Sequence, residues 1–241
     1  MTRNNLMGVM VLITLVSAAN SASAYVVPAD ALLERTTKSR ARLRLEGLVL
    51  QGTHEKDGVR SQVWEVIRAG GRRRELRRGD EMTVTLDLDR TRYEYTPGTG
   101  GVRPKRGPVN LLATLGFPTD PEQQAVSALE ILKSLGVNTS VVSIGRQGRR
   151  LVFIIGAKSN DLNRPQLWLD KELMVPVRLI GFDRNRTRIE TRWLGFASPL
   201  TRPYFPRRIE TWVNGELTES LTYGSIEINP KLNDAWFSPP N

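Results

Sequence analysis

The chain has 241 residues, with 35 Lys and Arg against 25 Asp and Glu, one His and no Cys. This length suits one large domain or two small ones. Without Cys the chain cannot form disulfides, thiolate zinc sites or a Cys nucleophile, and the single His54 cannot build a His-based metal cluster. The formal net charge of +10 would suit binding to nucleic acid. That partner is available only if the protein stays in a compartment that contains nucleic acid.

The N-terminus has the features of a secretory signal peptide. Arg3 precedes an apolar run over residues 6–16, and Ala22-Ser23-Ala24 follows as a small-residue cleavage motif. The run is shorter than the roughly 20 residues that a membrane-spanning helix needs. We therefore expect residues 1–24 to be a signal peptide; an uncleaved N-terminal anchor is the alternative.

We expect residues 25–241 to form one exported domain that does not span a membrane after cleavage. Removal of 24 residues that include one Arg leaves 217 residues with a formal charge of +9. No Cys lies near the cleavage motif, so a lipid-modified N-terminus is not expected. Export also argues against nucleic acid as a partner.

The mature chain begins with a predicted helix followed by antiparallel strands. Pro28–Glu34 has the start of a short amphipathic helix, with Pro in its first turn. Over residues 42–95, apolar and polar residues alternate in short runs separated by turns such as His54–Gly58 and Gly70-Gly71. This pattern is typical of an antiparallel meander. His54 falls in the first turn, beside Glu55 and Lys56, so we expect an exposed loop histidine.

Two helices interrupt the strands. After a loop of Gly, Pro and basic residues (97–108), residues 109–115 predict a short apolar helix. Thr119-Asp120-Pro121-Glu122 has the spacing of a capping box, and Gly136 supplies a C-terminal stop. Between them four residues recur every three positions and predict one apolar helix face: Val126, Leu129, Leu132 and Leu135.

The alternation with period two returns at Thr139 and continues to Ile228, with Asn214-Gly215 as the strongest hairpin signal. We count about ten strands, one helical insert and no linker that would divide the domain. The predicted fold is mainly β, of the α+β class. It consists of one strongly curved antiparallel sheet with helices against one face.

The sequence favours a binding protein over an enzyme. It contains no nucleophile elbow, phosphate-binding loop, dinucleotide fingerprint or zinc-protease helix. Two carboxylate pairs, Asp87 with Asp89 and Glu190 with Glu210, could serve acid–base catalysis, but the first lies beside a turn where solvated carboxylates are common. We predict no catalytic residues, no metal and no cofactor. A hydrolase using Ser, Asp or Glu is kept as a minor alternative.

The densest charge cluster is Arg72–Arg78, which holds five arginines and one glutamate. On a strand these charges fall on both faces. A solvated strand that resists pairing with other chains is one interpretation, and a patch facing an anion or lipid headgroup is the other. Aromatic residues do not interleave with these arginines, so the cluster lacks a base-stacking platform.

A curved sheet with helices inside it is either filled by side chains or leaves a cavity for an apolar ligand. The apolar helix residues would serve both arrangements, and the sequence leaves the choice open. These residues are Leu111, Leu115, Val126, Leu129 and Leu132.

Two segments of the second half resemble a known family. Both resemble segments of periplasmic lipoprotein-sorting carriers of the LolA-like family. The first is similar to a strand hairpin of that family and comprises Gln166–Glu172 and Val175–Leu179. The second is similar to the end of the chain in that family and comprises Tyr204–Glu210, Asn229-Pro230 and Asp234–Pro240. The order of elements is similar over nearly the whole mature chain. The resemblance implies an incomplete antiparallel β-barrel whose concave face is covered by helices.

The resemblance also implies a function. A soluble periplasmic carrier of this kind, expected to be a monomer, binds the acyl chains of lipoproteins in a hydrophobic cavity. It receives them from an inner-membrane lipoprotein-releasing complex and passes them to an outer-membrane acceptor. A lipid- or glycolipid-binding or envelope-sensing module of the same shape is the alternative. The predicted lipid-contacting residues are Trp64, Val66, Leu86, Leu111, Leu115, Val126, Leu129, Leu132 and Phe153.

Carriers of this family use an Arg on an early strand as a latch that holds the helices closed. By the order of elements Arg68 takes this place here, next to Ala69 where the family has Pro. Arg72 is the alternative. Alternation puts Trp64, Val66 and Arg68 on one face of their strand, which we expect to line the cavity.

Overall fold

The computed structural model describes residues 27–88, 91–99, 102–107, 110–196, 198–200, 202 and 204–239. The predicted signal peptide lies outside these residues, and Asp89 of the first carboxylate pair does too. Both therefore stay sequence predictions, as does the boundary at residue 25. No helix in the described ranges is long and apolar enough to cross a membrane.

The described part contains three α-helices and one short 3-10 helix. Their bounds are Ala29–Ala41 for α1, Leu111–Gly116 for α2, Pro121–Ser134 for α3 and Asp234–Phe237 for the C-terminal 3-10 helix. Helix α3 begins after Asp120, whose carboxylate accepts hydrogen bonds from the backbone N–H groups of Glu122 and Gln123. Asp120, and not Thr119, is therefore the N-cap residue, and it satisfies N–H groups that have no partner within the helix.

Thirteen strands occupy most of the remaining described residues. Their bounds are Gly47–Lys56 (β1), Val59–Arg68 (β2), Gly71–Arg78 (β3), Glu81–Leu88 (β4), Thr91–Tyr95 (β5), Lys105–Arg106 (β6), Val142–Gln147 (β7), Arg150–Ile155 (β8), Gln166–Asp170 (β9), Pro176–Phe182 (β10), Arg188–Leu194 (β11), Arg208–Val213 (β12) and Glu216–Ile228 (β13). The two-residue strand β6 lies in a segment that the sequence predicts as loop.

The strands form one antiparallel sheet in the order β6-β5-β4-β3-β2-β1-β13-β12-β11-β10-β9-β8-β7. Each meander is continuous along the chain, and the pairing of β1 with β13 joins the two. Asn214 and Gly215 both have positive φ in the turn between β12 and β13, as the predicted tight hairpin requires. The mainly β fold is confirmed, with thirteen strands in place of about ten.

The sheet is strongly curved. Ile67 on β2 and Leu179 on β10 line the same cavity, although five strand intervals separate β2 from β10 in the sheet. At about 4.8 Å per interval a flat sheet would hold these strands roughly 24 Å apart. The sheet therefore curls around the helices. We call the side that carries α1–α3 the concave face and the other side the convex face.

The main core fills the concave face. It joins Leu32 and Leu33 of α1 and Leu132 of α3 to sheet residues such as Leu48 and Phe153. Two smaller apolar clusters occupy the convex face. One contains Val66, Leu86 and Phe237 beneath the C-terminal 3-10 helix, and the other contains Val152, Ile154 and Trp168. Hence the sheet buries side chains on both faces, but the α-helices cover only the concave one.

Candidate functional site

A cavity of about 380 Å³ lies between α2 and the concave face. Leu111 and Leu112 of α2 form one wall, and Leu179, Trp193 and other apolar residues of β10–β13 form the opposite wall. The apolar lining comprises Ile67, Leu111, Leu112, Ala113, Leu179, Trp193, Phe205, Ile209 and Leu221. The alternation of β10–β13 supplies this wall because each strand sends every second side chain to the same face.

A charged group forms the end of the cavity near β2 and β3. The Glu65 carboxylate accepts hydrogen bonds from Nε of Arg72 at 2.7 Å and from Nε of Arg74 at 2.8 Å. The hydroxyl of Tyr223 donates to the same carboxylate at 3.1 Å. Glu65 and Tyr223 are fully buried, whereas both arginines border the cavity. The cavity therefore combines an apolar wall with an ion-paired polar end.

The partners of this charged group determine its protonation. Burial disfavours the charge on Arg74, but the nearby Glu65 carboxylate outweighs burial and raises the pKa of Arg74 above its ordinary value. Burial, reinforced by Glu65, raises the pKa of the Tyr223 hydroxyl well above its ordinary value. The arginine is therefore charged and the tyrosine neutral at neutral pH.

His54 lies next to this group and is not an exposed loop residue. It is buried on β1, and its Nε2 is 2.8 Å from Oε1 of Glu219 on β13. The strand β1 runs to Lys56, past the position where the sequence suggests a turn. The prediction of an exposed His54 is wrong, because β1 extends the alternation by several polar residues. The hydrogen bond from His54 lowers the pKa of the Glu219 carboxyl.

The structure divides the predicted lipid-contacting residues into two sets. Leu111, Leu115, Leu132 and Phe153 are buried in the main core, and Leu111 lines the cavity. Leu129 is partly buried at the edge of that core.

The side chain of Val126 is 50% exposed, so its predicted place in the lining is wrong. A spacing of three residues drifts around a helix with 3.6 residues per turn. Val126 and Leu132 therefore lie about 120° apart on α3. The buried residues of this helix are Ala125, Ala128, Ile131 and Leu132.

Trp64, Val66 and Leu86 lie on the convex face and do not line the cavity. They pack in the apolar cluster beneath the C-terminal 3-10 helix. Alternation correctly places Trp64 and Val66 on one face, but it does not reveal which face the helices cover. On β2 the residues that face the helices are Val63, Glu65 and Ile67.

Arg68 shares the convex face, so its predicted role as a latch on the helices is wrong. Its guanidinium hydrogen-bonds to Asp234 at 2.6 Å and lies 4.0 Å from the centre of the Phe237 ring. Arg68 therefore fastens the C-terminal 3-10 helix. The alternative, Arg72, lies on the concave face beside Asn110 and Ala113, but it hydrogen-bonds to Glu65.

A different arginine joins the helix layer to the segment that precedes β12. Arg40, near the end of α1, is only 4% exposed, and its guanidinium donates to the backbone carbonyl of Tyr204 at 2.5 Å. Burial lowers the pKa of Arg40 to about 10. Sequence reasoning missed this residue, although the buried face of α1 (Leu32, Leu33, Thr36, Thr37 and Arg40) follows the helical period.

The described ranges contain no group of three or more His, Asp or Glu side chains that could hold a metal ion. Glu190 and Glu210, the second carboxylate pair, are engaged in ion pairs on the convex face. Glu190 contacts Arg178 and Arg192, and Glu210 contacts Arg208. Burial disfavours the charge on Glu190, but its two arginines outweigh burial and lower its pKa.

The curved sheet is open, because β6 and β7 form its two edges, and helices cross its concave face. These features define the class of incomplete antiparallel β-barrels with a helical cover. No protein-family model and no curated protein matches the sequence.

Solved structures with similar architecture include a domain described as an outer membrane lipoprotein-sorting protein from Vibrio parahaemolyticus. It is 11% identical, with a TM-score of 0.54, over 86% of this chain and 97% of that chain. A DUF1329 family protein from Desulfovibrio piger is 10% identical, with a TM-score of 0.51, over 86% of this chain and 97% of that one.

A LolA superfamily protein from Nitrosomonas europaea is 13% identical, with a TM-score of 0.48, over 89% of this chain and 99% of that chain. The likeness to the Vibrio and Desulfovibrio structures shows a shared fold. The resemblance to lipoprotein-sorting proteins predicted from the sequence is therefore confirmed at the level of the fold.

Proposed function

We propose that this protein is a periplasmic carrier that binds acyl chains of lipoproteins between α2 and the sheet. The observation that supports this proposal most strongly is the apolar wall of the concave-face cavity, on a fold shared with a lipoprotein-sorting domain. Each buried methylene contributes about 0.8 kcal/mol, so binding needs no cofactor and no catalytic group.

The size of the cavity indicates that the helix cover moves when a ligand enters. A volume of about 380 Å³ is near the lower limit of ligand pockets, which measure roughly 300–1,000 Å³. Helix α2 has only six residues, so separating it from the sheet disrupts little helical structure. We propose that α2 moves away from the sheet to admit an acyl chain. The free energy spent on this movement lowers the affinity for the acyl chain enough to permit its release.

The transport role extends this binding activity. The predicted signal peptide would export the protein, and the carrier would then receive lipoproteins from an inner-membrane releasing complex and deliver them to an outer-membrane acceptor. A monomer suffices for this cycle, because one chain supplies both walls of the cavity. Arg40 and Arg72 are the arginines placed to influence the helix cover.

Mass spectrometry of the protein purified from periplasm tests the proposal. We expect a triacylated lipoprotein to co-purify, and Leu179→Trp, which fills the cavity, to reduce its yield severalfold. Leu217→Trp is the matched control, since Leu217 is 44% exposed and outside the cavity lining. Co-purification of only phospholipid or glycolipid would replace the carrier role by a lipid-binding role. Equal yields from both variants would refute binding in this cavity.

A further inference from the structure

A second hollow, on the convex face, has no part in the proposed acyl-chain binding. It is a groove of about 810 Å³ across β13, β1, β2 and β3, with the C-terminal 3-10 helix along one side. Its side chains differ in kind from those of the concave cavity, because two tryptophans lie among amides and hydroxyls, and the one carboxylate, Glu75, is paired with Arg73. The aromatic, amide and hydroxyl side chains of the groove are those of Gln51, Thr53, Gln62, Trp64, Ser225 and Trp236.

The tryptophans form the apolar part of this groove. Trp64 and Trp236 pack edge to face, with ring centres 5.2 Å apart and planes at 85°. Both are half-buried, so part of each indole borders the groove. The indole N–H groups of Trp168 and Trp212 donate to Gln166 and Glu210.

By contrast, neither the Trp64 nor the Trp236 indole N–H has a hydrogen-bond partner among residues 27–239 as far as the structure describes them. Indole N–H groups usually find a partner when buried. Within the described residues, these two N–H groups are therefore unused donors.

The wall that carries Trp236 is held in place before any ligand arrives. Arg68 contacts both Asp234 and Phe237, and Arg73 donates to the backbone carbonyl of Trp236 at 3.4 Å. A Cβ atom on Gly71 would lie 2.8 Å from the Phe237 ring, so this glycine permits the close approach. A preformed wall lowers the entropic cost of binding.

The groove continues into a positively charged region. A neighbouring hollow of about 520 Å³ shares Thr53, Gln62 and Arg77 with the groove and adds Arg60 and Arg78. Arg78 is paired with Glu81. Arg60 and Arg77 are exposed and form no ion pair within the described part of the chain. Two guanidinium groups therefore remain for an anionic ligand.

We propose that the convex groove binds an acidic polysaccharide. The indoles would pack against the apolar faces of sugar rings, and the amide and hydroxyl side chains would hydrogen-bond to sugar hydroxyls. Arg60 and Arg77 would bind carboxylates in the two-pronged geometry that guanidinium groups favour. Uncharged polar side chains outnumber the free arginines, which favours a sugar chain over a nucleic acid strand.

Calorimetric titration of the mature chain with oligogalacturonate tests this proposal. We expect binding that weakens as salt concentration rises, and much weaker binding of a neutral maltooligosaccharide of equal length. Trp236→Ala and Arg77→Gln should each lower the affinity about tenfold, as the loss of one ring contact or one charged contact predicts. Since Arg77 is exposed, its variant tests the groove without a large change in folding.

Trp212→Ala is the matched control, because Trp212 lies on the convex face beneath Arg192 and outside the groove. Its affinity should equal that of the unmodified protein, and so should that of Leu179→Trp, which alters only the concave cavity. Equal affinity for the neutral sugar would overturn the proposal. Tighter binding of single-stranded DNA or of phosphatidylglycerol vesicles, or unchanged affinity in both groove variants, would do so too.

Discussion

The two faces of the β2–β3 hairpin differ in how deeply their ion pairs are buried. On the concave face, Glu65 lies between Arg72 and Arg74 beneath a layer of helices. On the convex face, Arg68 reaches Asp234, whose side chain is 91% exposed. Neighbouring residues of the same strands therefore experience very different solvation. The difference arises because segments distant in sequence cover one face and leave much of the other open.

In this hairpin, the difference in cover separates two kinds of ion pair. Removing one member of a buried ion pair leaves an uncompensated buried charge. The cost in free energy is far larger than the cost of breaking an exposed pair. The difference in cover also separates two kinds of hollow, since the concave cavity is bounded by apolar helix residues and the convex groove by polar strand residues. Each face can be altered without the other, and the following changes test that independence.

The largest effect should come from Glu65→Gln. Without its carboxylate, two mostly buried guanidinium groups lose their counter-charge, and the free energy of unfolding should fall by about 3–5 kcal/mol. Asp234→Asn is the control on the convex face, where Asp234 is 91% exposed and pairs with Arg68 at 2.6 Å. That change should cost about 1 kcal/mol or less. Urea denaturation measures both, and equal losses would contradict the distinction between the faces.

The next largest effect should separate two residues of α3. Leu132 is fully buried in the main core, and Leu132→Ala should lower the free energy of unfolding by about 2–5 kcal/mol through lost burial and the cavity left behind. Val126→Ala should change it by about 0.5 kcal/mol or less, because half of that side chain is exposed. Thermal denaturation of the pair provides the measurement. Similar losses would place Val126 in the core after all.

Arg68→Leu should have a smaller effect, confined to the convex face. The loss of an exposed ion pair and a contact with the Phe237 ring should cost about 1 kcal/mol and loosen the C-terminal 3-10 helix. The fluorescence of the Trp64–Trp236 pair should change, while acyl-chain binding should not. A change in acyl-chain binding without a change in fluorescence would restore Arg68 to the latch role predicted from sequence.

Local sequence patterns predicted the strands and helices, but they did not predict which face of the sheet the α-helices cover. Period-two alternation placed Trp64, Val66 and Arg68 together, but only the packing of residues 234–237 shows that their face is convex. The concave charged group escaped prediction for a related reason. Tyr223 and Glu65 are 158 positions apart, and no local pattern indicates that β13 closes onto β1 beside them.

The family resemblance supplied the architecture but assigned the latch to the wrong face. The order of elements indicates which strand of this chain is equivalent to the latch-bearing strand of the family. It does not indicate which side chains of that strand point to the helices. Arg72, four positions further along, faces the helices, and Arg40 binds the segment at Tyr204. A helical-wheel projection of α1 could have indicated Arg40, because it shares the face of Leu33 and Thr37.

The smallest effect is a pH dependence that belongs to the concave face. The hydrogen bond from His54 lowers the pKa of Glu219 below its ordinary value of 4.5. A carboxyl whose pKa is lower in the folded state stabilises the fold above its unfolded pKa, and this contribution disappears as the pH falls through the folded pKa. Between pH 6 and pH 3 the unmodified protein should therefore lose more stability than Glu219→Gln does. Chemical denaturation at several pH values measures the two slopes, and parallel slopes would show that the His54–Glu219 pair contributes nothing to folding.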